Sequence, residues 1–201
     1  MTTASTTTPT TVRHAAIPGM AFPQLELFPI GPEHAALLHR WIVDPKARDW
    51  LDLGSGRQSM SERELYMMLT SPRNLARLFR LPGQDTPLGL ICLNDVQNKM
   101  GCAEVWGVRG VYAGAPQNTA VAAFLQILDY GFRQLNLSVI SSWVVDGNQL
   151  SLGMHRVLGM TETGRQRQRH VIGNRRHDRV LFDMTRAEFD SRFGASEACH
   201  A

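Results

Sequence analysis

The strongest constraint on the fold is one long amphipathic segment, the residues from Asn118 to Leu135. Its apolar residues recur three and four positions apart, which is the period of a helix with one buried face. They are Val121, Phe124, Leu125, Leu128, Phe132 and Leu135, and the opposite stripe carries Gln126, Asp129 and Arg133. The pattern predicts an amphipathic helix whose apolar stripe packs on a core.

Short apolar or alternating runs lie on both sides of this helix. Strands are predicted in LELFPI, LARLFRL, PLGLICLND, CAEVWGV and SVISSWVV, and two more between residues 160 and 184 around the turn GNRRHD. A first helix is predicted after Pro32 and ends near Asp44, because the residue before a proline disfavours helical backbone. A second follows SERE, Ser61 to Glu64, which fits a capping box.

A further short helix is predicted in NQLSLGMHRVLGM, from Asn148 to Met160. Asparagine is a favourable residue at a helix start, and Gly159 is a favourable terminator. The whole order, β-α-α-β-β-β-α-β-α-β-β, predicts an α/β fold with a mixed sheet of about seven strands and about four helices.

Composition limits the domain organisation. With 201 residues and 43% hydrophobic residues, the chain can bury one sizeable core, so one domain is expected over residues 21–192. Residues 1–20 are Thr-rich with almost no large apolar side chains and are expected to be a disordered tail. Residues 193–201 are expected to be a C-terminal tail. No apolar run is long enough to span a membrane and no secretory signal is recognisable, which favours a cytoplasmic protein.

The net charge and the cysteine content indicate which ligands and metal sites are expected. The net charge of +3 suits an anionic ligand without requiring nucleic acid, which is not a favoured partner. The three cysteines, Cys92, Cys102 and Cys199, form no CxxC spacing, so neither a zinc site nor a disulfide framework is expected. We expect no metal.

The element order and the Asn148 segment together resemble the GNAT N-acetyltransferase superfamily, in particular its ribosomal-protein-acetyltransferase-like branch. That branch has an Asn, a small residue three positions on, a Tyr seven on, then Gly and a large apolar residue. Here these positions hold Asn148, Ser151, His155, Gly159 and Met160. DPKARDWL near residue 44 and AEVWGV at residue 103 are similar to further segments of the branch.

The resemblance implies a sheet splayed between its fourth and fifth strands, with the pantetheine arm of coenzyme A in the gap. It implies transfer of an acyl group, most simply acetyl, from acetyl-CoA, another acyl-CoA or an acyl-phosphopantetheine to a primary amine. The donor-binding residues that it implies are Val105, Trp106, Gly107 and Val108 on the fourth strand, with Asn148 and Ser151 on the short helix.

The same resemblance implies a phosphate-binding loop before the long helix, in YAGAPQNTA from Tyr112 to Ala120. Backbone N–H groups and the helix dipole would bind the coenzyme pyrophosphate there. The expected contributors are Gly114, Ala115, Gln117, Asn118 and Thr119. Pro116 has no N–H to donate and Ala113 stands where the family often has a basic residue, so the loop is degenerate. An ordinary turn with a helix cap is the alternative.

Two residues are candidates for the chemistry. His155 occupies the place of the family tyrosine that protonates the departing thiolate, and histidine titrates near neutrality. The alternative for His155 is a packing role at the edge of a groove. Glu104 is the candidate base for the amine, with Asp95 and Asp146 left open.

The segment GRQRQRHVIGNRRHDR places arginines at alternate positions, Arg165, Arg167 and Arg169. A regular strand would show all three on one face, as a solvated surface or as an anion-facing wall. Arg167, Arg169 and, in the loop WLDLGSGRQ, Trp50 are therefore candidate contacts for a small-molecule or peptide amine acceptor. Two further functions stay open: an N-acyltransferase that uses an acyl carrier protein, and a non-catalytic binding protein of this fold. A homodimer also stays open.

Overall fold

The computed structural model describes residue 17, residues 19–110 and residues 114–194. The expected Thr-rich tail therefore lies outside the described residues, apart from Ile17, Gly19 and Met20. Of the expected C-terminal tail, only Phe193 and Gly194 are described, and Cys199 is not.

The described residues form one seven-stranded mixed sheet in the order β1-β2-β3-β4-β5-β7-β6. The strands are β1 Glu26–Phe28, β2 Leu75–Arg80, β3 Gly89–Asn94, β4 Cys102–Arg109, β5 Val139–Val145, β6 Thr161–Ile172 and β7 Arg175–Thr185. Neighbouring strands are antiparallel except β4 and β5, which are parallel. The prediction of a mixed α/β sheet of seven strands is confirmed.

Six α-helices lie among the described residues, two more than the sequence analysis expects. They are α1 Ala35–Val43, α2 Pro45–Arg48, α3 Glu62–Leu69, α4 Thr119–Arg133, α5 Gln149–Leu158 and α6 Arg186–Phe193, with a 3-10 turn at Pro32–His34 before α1. The helix α2 begins where α1 ends, because the Asp44 side chain accepts a hydrogen bond from the Lys46 N–H at 2.9 Å. The helix α6 begins at Thr185, which forms a capping box with Glu188.

Apolar side chains form one core on each face of the sheet. Residues at alternate strand positions point to opposite faces. On β4, Ala103 and Val105 join the core that includes the buried face of α4, whereas Val108 joins the core under α1 and α3. The sheet is therefore covered by helices on both faces.

One residue of the long helix departs from its predicted environment. Gln126 falls on the predicted polar stripe of α4, yet its side chain is buried. The chain segment before β1 covers this part of the helix, and Gln126 Nε2 donates to the Leu25 carbonyl at 3.2 Å. The prediction is wrong here because a helical period cannot show that a distant segment packs on the polar stripe.

The parallel pairing of β4 with β5 is short. It comprises three residue pairs, from Cys102–Val139 to Glu104–Ser141. Beyond them β4 continues to Arg109 and β5 to Val145 without pairing to each other. The sheet is thus splayed between its fourth and fifth strands, as predicted.

Among the described residues, none of the helices combines the length and the apolar character needed to cross a lipid bilayer.

Candidate active site

Backbone groups of β4 line the gap between the splayed strands. The Gly110 N–H donates to the Leu88 carbonyl at 2.9 Å. In an antiparallel ladder such hydrogen-bonded positions alternate with positions whose backbone groups point the other way. By this alternation the N–H and C=O of Trp106 and Val108 face β3, whereas those of Val105 and Gly107 point towards β5. The Val105 N–H belongs to the last β4–β5 bridge, Glu104–Ser141, so the Val105 C=O and the two Gly107 groups are the ones that face the gap. Of the four donor-binding residues predicted on β4, Val105 and Gly107 therefore have backbone groups on the side of the gap, and Trp106 and Val108 do not.

The predicted phosphate loop is described from Gly114 onwards, and Ala113 lies outside the described residues. Gly114 and Asn118 both have left-handed backbone conformations, with φ of 76° and 61°. The first main-chain hydrogen bond of α4 runs from the Ala122 N–H to the Asn118 carbonyl at 2.9 Å. The N–H groups of the first helical turn, from Thr119 to Val121, therefore have no partner within the helix. They are positive partial charges at the end of a 15-residue helix.

Both ends of α5 have the predicted caps. The Asn148 side chain accepts a hydrogen bond from the Ser151 N–H at 3.1 Å. Gly159 terminates the helix with φ of 80°, a conformation that costs a residue with a Cβ. The motif residues Asn148, Ser151 and Gly159 are thus accounted for locally by the helix that carries His155.

His155 lies at the base of the gap, with 2% of its surface exposed. Its Nδ1 is 2.8 Å from the Ser151 carbonyl oxygen, and its Nε2 is 2.9 Å from the Ser142 hydroxyl oxygen. The ring contacts the rings of Phe124 and Phe182, with centroids 5.8 and 5.0 Å away. Burial lowers the pKa of His155, more than the hydrogen bond to Ser151 raises it.

A cleft of about 350 Å³ lies where β4, β5, β6 and β7 meet. Its lining is mostly polar and includes both acidic and basic side chains. The lining residues are Glu104, Ser141, Ser142, Trp143, Thr163, Gln166, Arg169, Arg179, Leu181, Phe182 and Asp183. Glu104 and Ser141 form the last pair of the β4–β5 ladder, so the cleft opens at the point where the strands separate.

Arg179 is the centre of a buried polar cluster in the wall of this cleft. Its Nη2 is 2.6 Å from the Asp52 Oδ2, and its guanidinium carbon lies 3.8 Å from the centre of the Trp143 ring. The same Nη2 is 3.3 Å from His170 Nδ1, and His170 Nε2 is 2.8 Å from the Asp49 carbonyl oxygen. The cluster attaches the loop after α2 to β5, β6 and β7.

The carboxylate of Asp52 is held in its ionised form by several donors. Burial by itself raises the pKa of Asp52. The hydrogen bonds from Arg179 and from the N–H groups of Gly54 and Gly56 outweigh burial, so the pKa lies below its usual value. The loop is therefore folded around a charged group that pairs with Arg179.

The pKa of Glu104 is shifted in the opposite direction to that of Asp52. Burial raises the pKa of Glu104, and neither the charge of Arg179 nor a hydrogen bond from Trp143 fully offsets this effect. The other two candidate bases lie elsewhere. Asp95 forms an ion pair with Arg73 at 2.6 Å, and Asp146 lies 3.4 Å from His177 and 3.7 Å from Arg165. Neither Asp95 nor Asp146 lines the cleft.

The arginines of β6 do not form the predicted single stripe. The register of β6 against β7 shifts between Gln166 and His170, and Gln168 has a left-handed φ of 53°. Arg169 lines the cleft together with Gln166, whereas Arg165 lies 3.4 Å from Asp178. The prediction is wrong because a β-bulge inserts residues into the strand and breaks the period-2 alternation.

Two predicted acceptor contacts lie outside the cleft lining. The Trp50 ring lies beside the turn between β5 and α5, where a Cβ on Gly147 would be 3.6 Å from it. Arg167 is exposed on the bulge of β6. Of the candidate residues, the structure brings Glu104 and Arg169 together in one cleft and places His155 behind Ser142 in its wall.

Sequence reasoning missed Ser142, Trp143, Arg179, His170 and Asp52. The alternation of SVISSWVV could have placed Ser142 and Trp143 on opposite faces of a strand next to the gap. No local pattern links Asp52 to Arg179, which are 127 residues apart in the chain. Within the described part of the chain, no group of three or more His, Cys, Asp or Glu side chains is placed to hold a metal ion.

Comparisons with known proteins give structural matches but no sequence matches. Neither a scan against protein-family models nor a search of curated proteins gives a match. The chain is similar in structure to spermidine N-acetyltransferase from Vibrio cholerae in complex with CoA and spermine, with a TM-score of 0.73 and 16% identity. That alignment covers 82% of this chain and 97% of the other.

Two further solved structures are similar. Mycobacterium smegmatis RimJ in complex with CoA-disulfide aligns with a TM-score of 0.66 and 19% identity over 83% of this chain and 84% of its own. A GNAT-family acetyltransferase from Bacillus anthracis aligns with a TM-score of 0.67 and 18% identity over 82% and 96%. At these identities the likeness shows the fold, which is the GNAT acetyltransferase fold.

Proposed function

We propose that this protein is a GNAT-type N-acyltransferase that transfers an acetyl or other acyl group from a coenzyme A thioester to a primary amine by direct attack. The observation that carries the proposal is the gap between β4 and β5. The Val105 C=O and the Gly107 backbone groups face it, the N-terminus of α4 lies beside the loop that follows β4, and the polar cleft opens at its base. Two of the structural neighbours are complexes with CoA or CoA-disulfide.

The donor is proposed to lie along β4. Its pantetheine amides would pair with the Val105 C=O and the Gly107 backbone groups, in the way that another strand would. Its pyrophosphate would lie at the start of α4, near Gly114, Ala115, Gln117, Asn118 and Thr119, where the N–H groups of the first helical turn favour an anion. Trp106 and Val108 support β4 from the other face, and Asn148 and Ser151 position α5.

Glu104 is proposed as the base. A primary amine reaches the cleft mostly as an ammonium ion, and it must lose one proton before it can attack the thioester carbonyl. A carboxyl with a raised pKa accepts that proton more readily than an ordinary carboxylate, because a base works best when its pKa approaches the working pH. Glu104 lies at the last pair of the β4–β5 ladder and is therefore close to the proposed thioester.

His155 is proposed to protonate the departing thiolate. The Ser151 carbonyl can only accept a hydrogen bond, so Nδ1 carries the proton of the neutral ring and Nε2 has none to give. His155 must therefore first receive a proton at Nε2. The attacking nitrogen releases one as the amide forms, and we propose that this proton passes to His155 and then to the sulfur.

The acceptor is proposed to be an amine that also carries an anionic group. The cleft offers Glu104 and Asp183 to an ammonium group, and it offers Arg169 to a carboxylate or phosphate. Trp50 and Arg167 are proposed as outer contacts for longer acceptors. Spermine, the polyamine named with the Vibrio cholerae neighbour, is a polycation and would place positive charge against Arg169.

Calorimetry and a thiol-release assay test these proposals. We expect acetyl-CoA to bind and to release thiol in the presence of amines, faster with an acidic peptide N-terminus or an amino acid than with spermidine. Arg169→Gln should raise the KM for the anionic amines and leave that for spermidine unchanged or lower. Absence of binding at near-millimolar acetyl-CoA would refute the donor proposal.

Titration with 4′-phosphopantetheine and with an acyl carrier protein distinguishes the alternative donors. If the pyrophosphate contributes, CoA binds more tightly than phosphopantetheine. Binding of an acyl carrier protein without CoA binding would favour the carrier-dependent enzyme. Binding of none of the three would favour a non-catalytic member of the fold.

A further inference from the structure

Ser142 and His155 have the geometry of a nucleophile and its base. The Ser142 hydroxyl oxygen lies 2.9 Å from His155 Nε2, and the Ser151 carbonyl occupies Nδ1 at 2.8 Å. Because a carbonyl cannot donate, the neutral ring is protonated on Nδ1 and its Nε2 accepts the Ser142 O–H. A hydroxyl that donates to an imidazole, which is oriented in turn by a third group, is the general arrangement of an activated nucleophile.

The surroundings keep the ring in this form. His155 is 2% exposed and is held between Phe124 and Phe182, so it has little freedom to turn. Burial lowers the pKa of His155, and the base therefore stays unprotonated at neutral pH. Phe182 lies opposite Ser142 in the β5–β7 ladder, which also fixes the serine backbone.

Ser142 also stands at the point where a thioester would be attacked. The β4–β5 ladder ends at Glu104–Ser141, so Ser142 is the first residue of β5 beyond the paired part of the two strands. Ser142 lines the cleft and is 5% exposed. Its neighbour Ser141 differs, because its hydroxyl donates to the Ala103 carbonyl at 3.3 Å and has no histidine partner among the described residues.

We propose that Ser142 is a nucleophile that accepts the acyl group from the donor thioester, and that the protein hydrolyses this thioester through an acyl-serine when no amine is bound. The inference rests on the proposed donor site for its natural substrate, but the serine chemistry itself requires only an activated ester.

The first half of the reaction acylates the serine. The Ser142 oxygen forms a bond to the carbonyl carbon as its proton moves to His155 Nε2, and the carbon–sulfur bond breaks. The proton on Nε2 then passes to the departing thiolate. The free thiol leaves, and the enzyme carries an acetyl ester on Ser142.

Water completes the second half. It attacks the ester carbonyl and gives one proton to His155 Nε2, and the carbon–oxygen bond to Ser142 breaks. The serine oxygen recovers the proton from Nε2, and the product leaves as acetic acid, which gives its remaining proton to solvent and becomes acetate. No oxidant or reductant is needed, and the enzyme returns to its starting state.

Intact-protein mass spectrometry tests the proposal with two acyl donors, p-nitrophenyl acetate and acetyl-CoA, each without amine. We expect a mass increase of one acetyl group after acid quenching, mapped by peptide digestion to Ser142. Ser142→Ala should lose the label and the slow release of acetate. The control Ser138→Ala removes an exposed hydroxyl just before β5, outside the cleft lining, and should label as the wild type does.

A second substitution guards against misfolding of Ser142→Ala. Ser142→Cys keeps a nucleophile at the position and should give an adduct that hydroxylamine removes. His155→Gln should label much more slowly with both donors. Circular dichroism checks that this variant is folded.

The outcomes separate this inference from the proposed function. Labelling of Ser142 by p-nitrophenyl acetate without binding of acetyl-CoA would support the serine and refute the coenzyme donor. Binding of acetyl-CoA and acetylation of amines, with no label on Ser142 from either donor, would refute the serine and leave the transferase proposal intact. A label on another residue that persists in Ser142→Ala would also refute the serine.

Discussion

The two faces of the sheet beside the gap bury polar side chains in different ways. On the face of α4 and α5, His155 lies among aromatic rings, and its two ring nitrogens are hydrogen-bonded to a hydroxyl and a carbonyl. On the other face, Arg179 is buried with Asp52 2.6 Å away, and Trp143 stacks on its guanidinium. One face therefore buries a titratable group in its neutral form, and the other buries an ion pair.

The difference shows that burial alone does not determine how much stability is lost when a polar side chain is removed. A buried neutral group leaves behind an unmet hydrogen bond and a cavity. A buried ion leaves an uncompensated charge in its partner, which costs more. The predictions below test this contrast.

The largest expected effect is on the ionic face. Arg179→Met leaves Asp52 buried without its partner, and breaking a buried ion pair costs about 3–5 kcal/mol of unfolding free energy. Urea unfolding measures this loss. The double variant Asp52→Asn with Arg179→Met should cost less than the sum of the single losses, because the two residues are coupled.

Arg165→Met is the matched control for Arg179→Met. It removes an arginine whose ion pair with Asp178 is exposed, and we expect no measurable loss of stability. Equal losses in both arginine variants would contradict the assignment of Arg179 to a buried pair.

On the face of α4 and α5, where the buried His155 is neutral, a substitution should affect the turnover rate more than the stability. His155→Ala should lower turnover by roughly 10² or more with little change in donor affinity, because general acid help acts in the transition state. His155→Tyr should recover activity. Single-turnover kinetics and calorimetry measure the two quantities.

A packing role for His155 gives a different pattern. In that case His155→Ala would melt earlier than the wild type and would turn over normally. A loss of donor affinity alone would place the ring beside the pantetheine as a binding group.

A smaller effect is expected at the start of α4. Pro116→Gly supplies one more N–H, and a hydrogen bond to a charged phosphate contributes about 1.5–3 kcal/mol, so CoA affinity should rise perceptibly, by roughly tenfold after the cost of added flexibility. The Thr119 hydroxyl donates a hydrogen bond to the main-chain carbonyl oxygen of residue 116, so this bond should persist in the variant. Pro116→Ala is the control that adds the N–H without the freedom of glycine.

Calorimetric titration of CoA into each variant measures the effect. Unchanged or weaker affinity in both Pro116 variants would show that this loop does not hold the pyrophosphate.

The smallest effect is in the pH dependence of stability. Burial lowers the pKa of His155 in the folded protein, so below about pH 6.5 the unfolded chain binds a proton that the folded protein resists. Stability should therefore fall as the pH is lowered from 7 towards 5. His155→Gln should flatten this part of the curve, measured as the difference between variant and wild type so that other groups cancel.

His170, which lies beside the Asp52–Arg179 ion pair, provides a second test of the pH dependence of stability. Burial is the main cause that lowers its pKa, but the charge of Arg179 contributes as well. His170→Gln should also flatten the curve. Combining it with Arg179→Met should change the flattening, whereas combining His155→Gln with Arg179→Met should not.

The sequence predicts the neutral face better than the ionic face, for a physical reason. The Ser61 capping box, the Asn148 cap, the Gly159 terminator and the apolar stripe of α4 depend on residues close together in the chain, and the structure has each of them. The capping box at Thr185 is equally local and was available to find α6. These signals place His155 on its helix.

The ionic face depends on contacts that no local pattern encodes. Asp52 meets Arg179 across 127 residues, and the bulge at Gln168 turns Arg169 into the cleft against the expected alternation. The burial of Gln126 has the same origin, since the segment ending at Leu25 covers it. The roles of Glu104, His155 and the arginines of β6 remain predictions.

The short β4–β5 ladder also has a consequence for solvent exchange. Along β4, adjacent amides should differ sharply, because the Val108 N–H is bonded to β3 while the Gly107 N–H faces the gap. In hydrogen–deuterium exchange, protection should therefore alternate residue by residue along β4 beyond its pairing with β5, although β4 lies at the centre of the sheet. A bound donor that completes the ladder would slow the Gly107 amide and leave the Val108 amide as it was, so a single strand would report both the empty and the occupied gap.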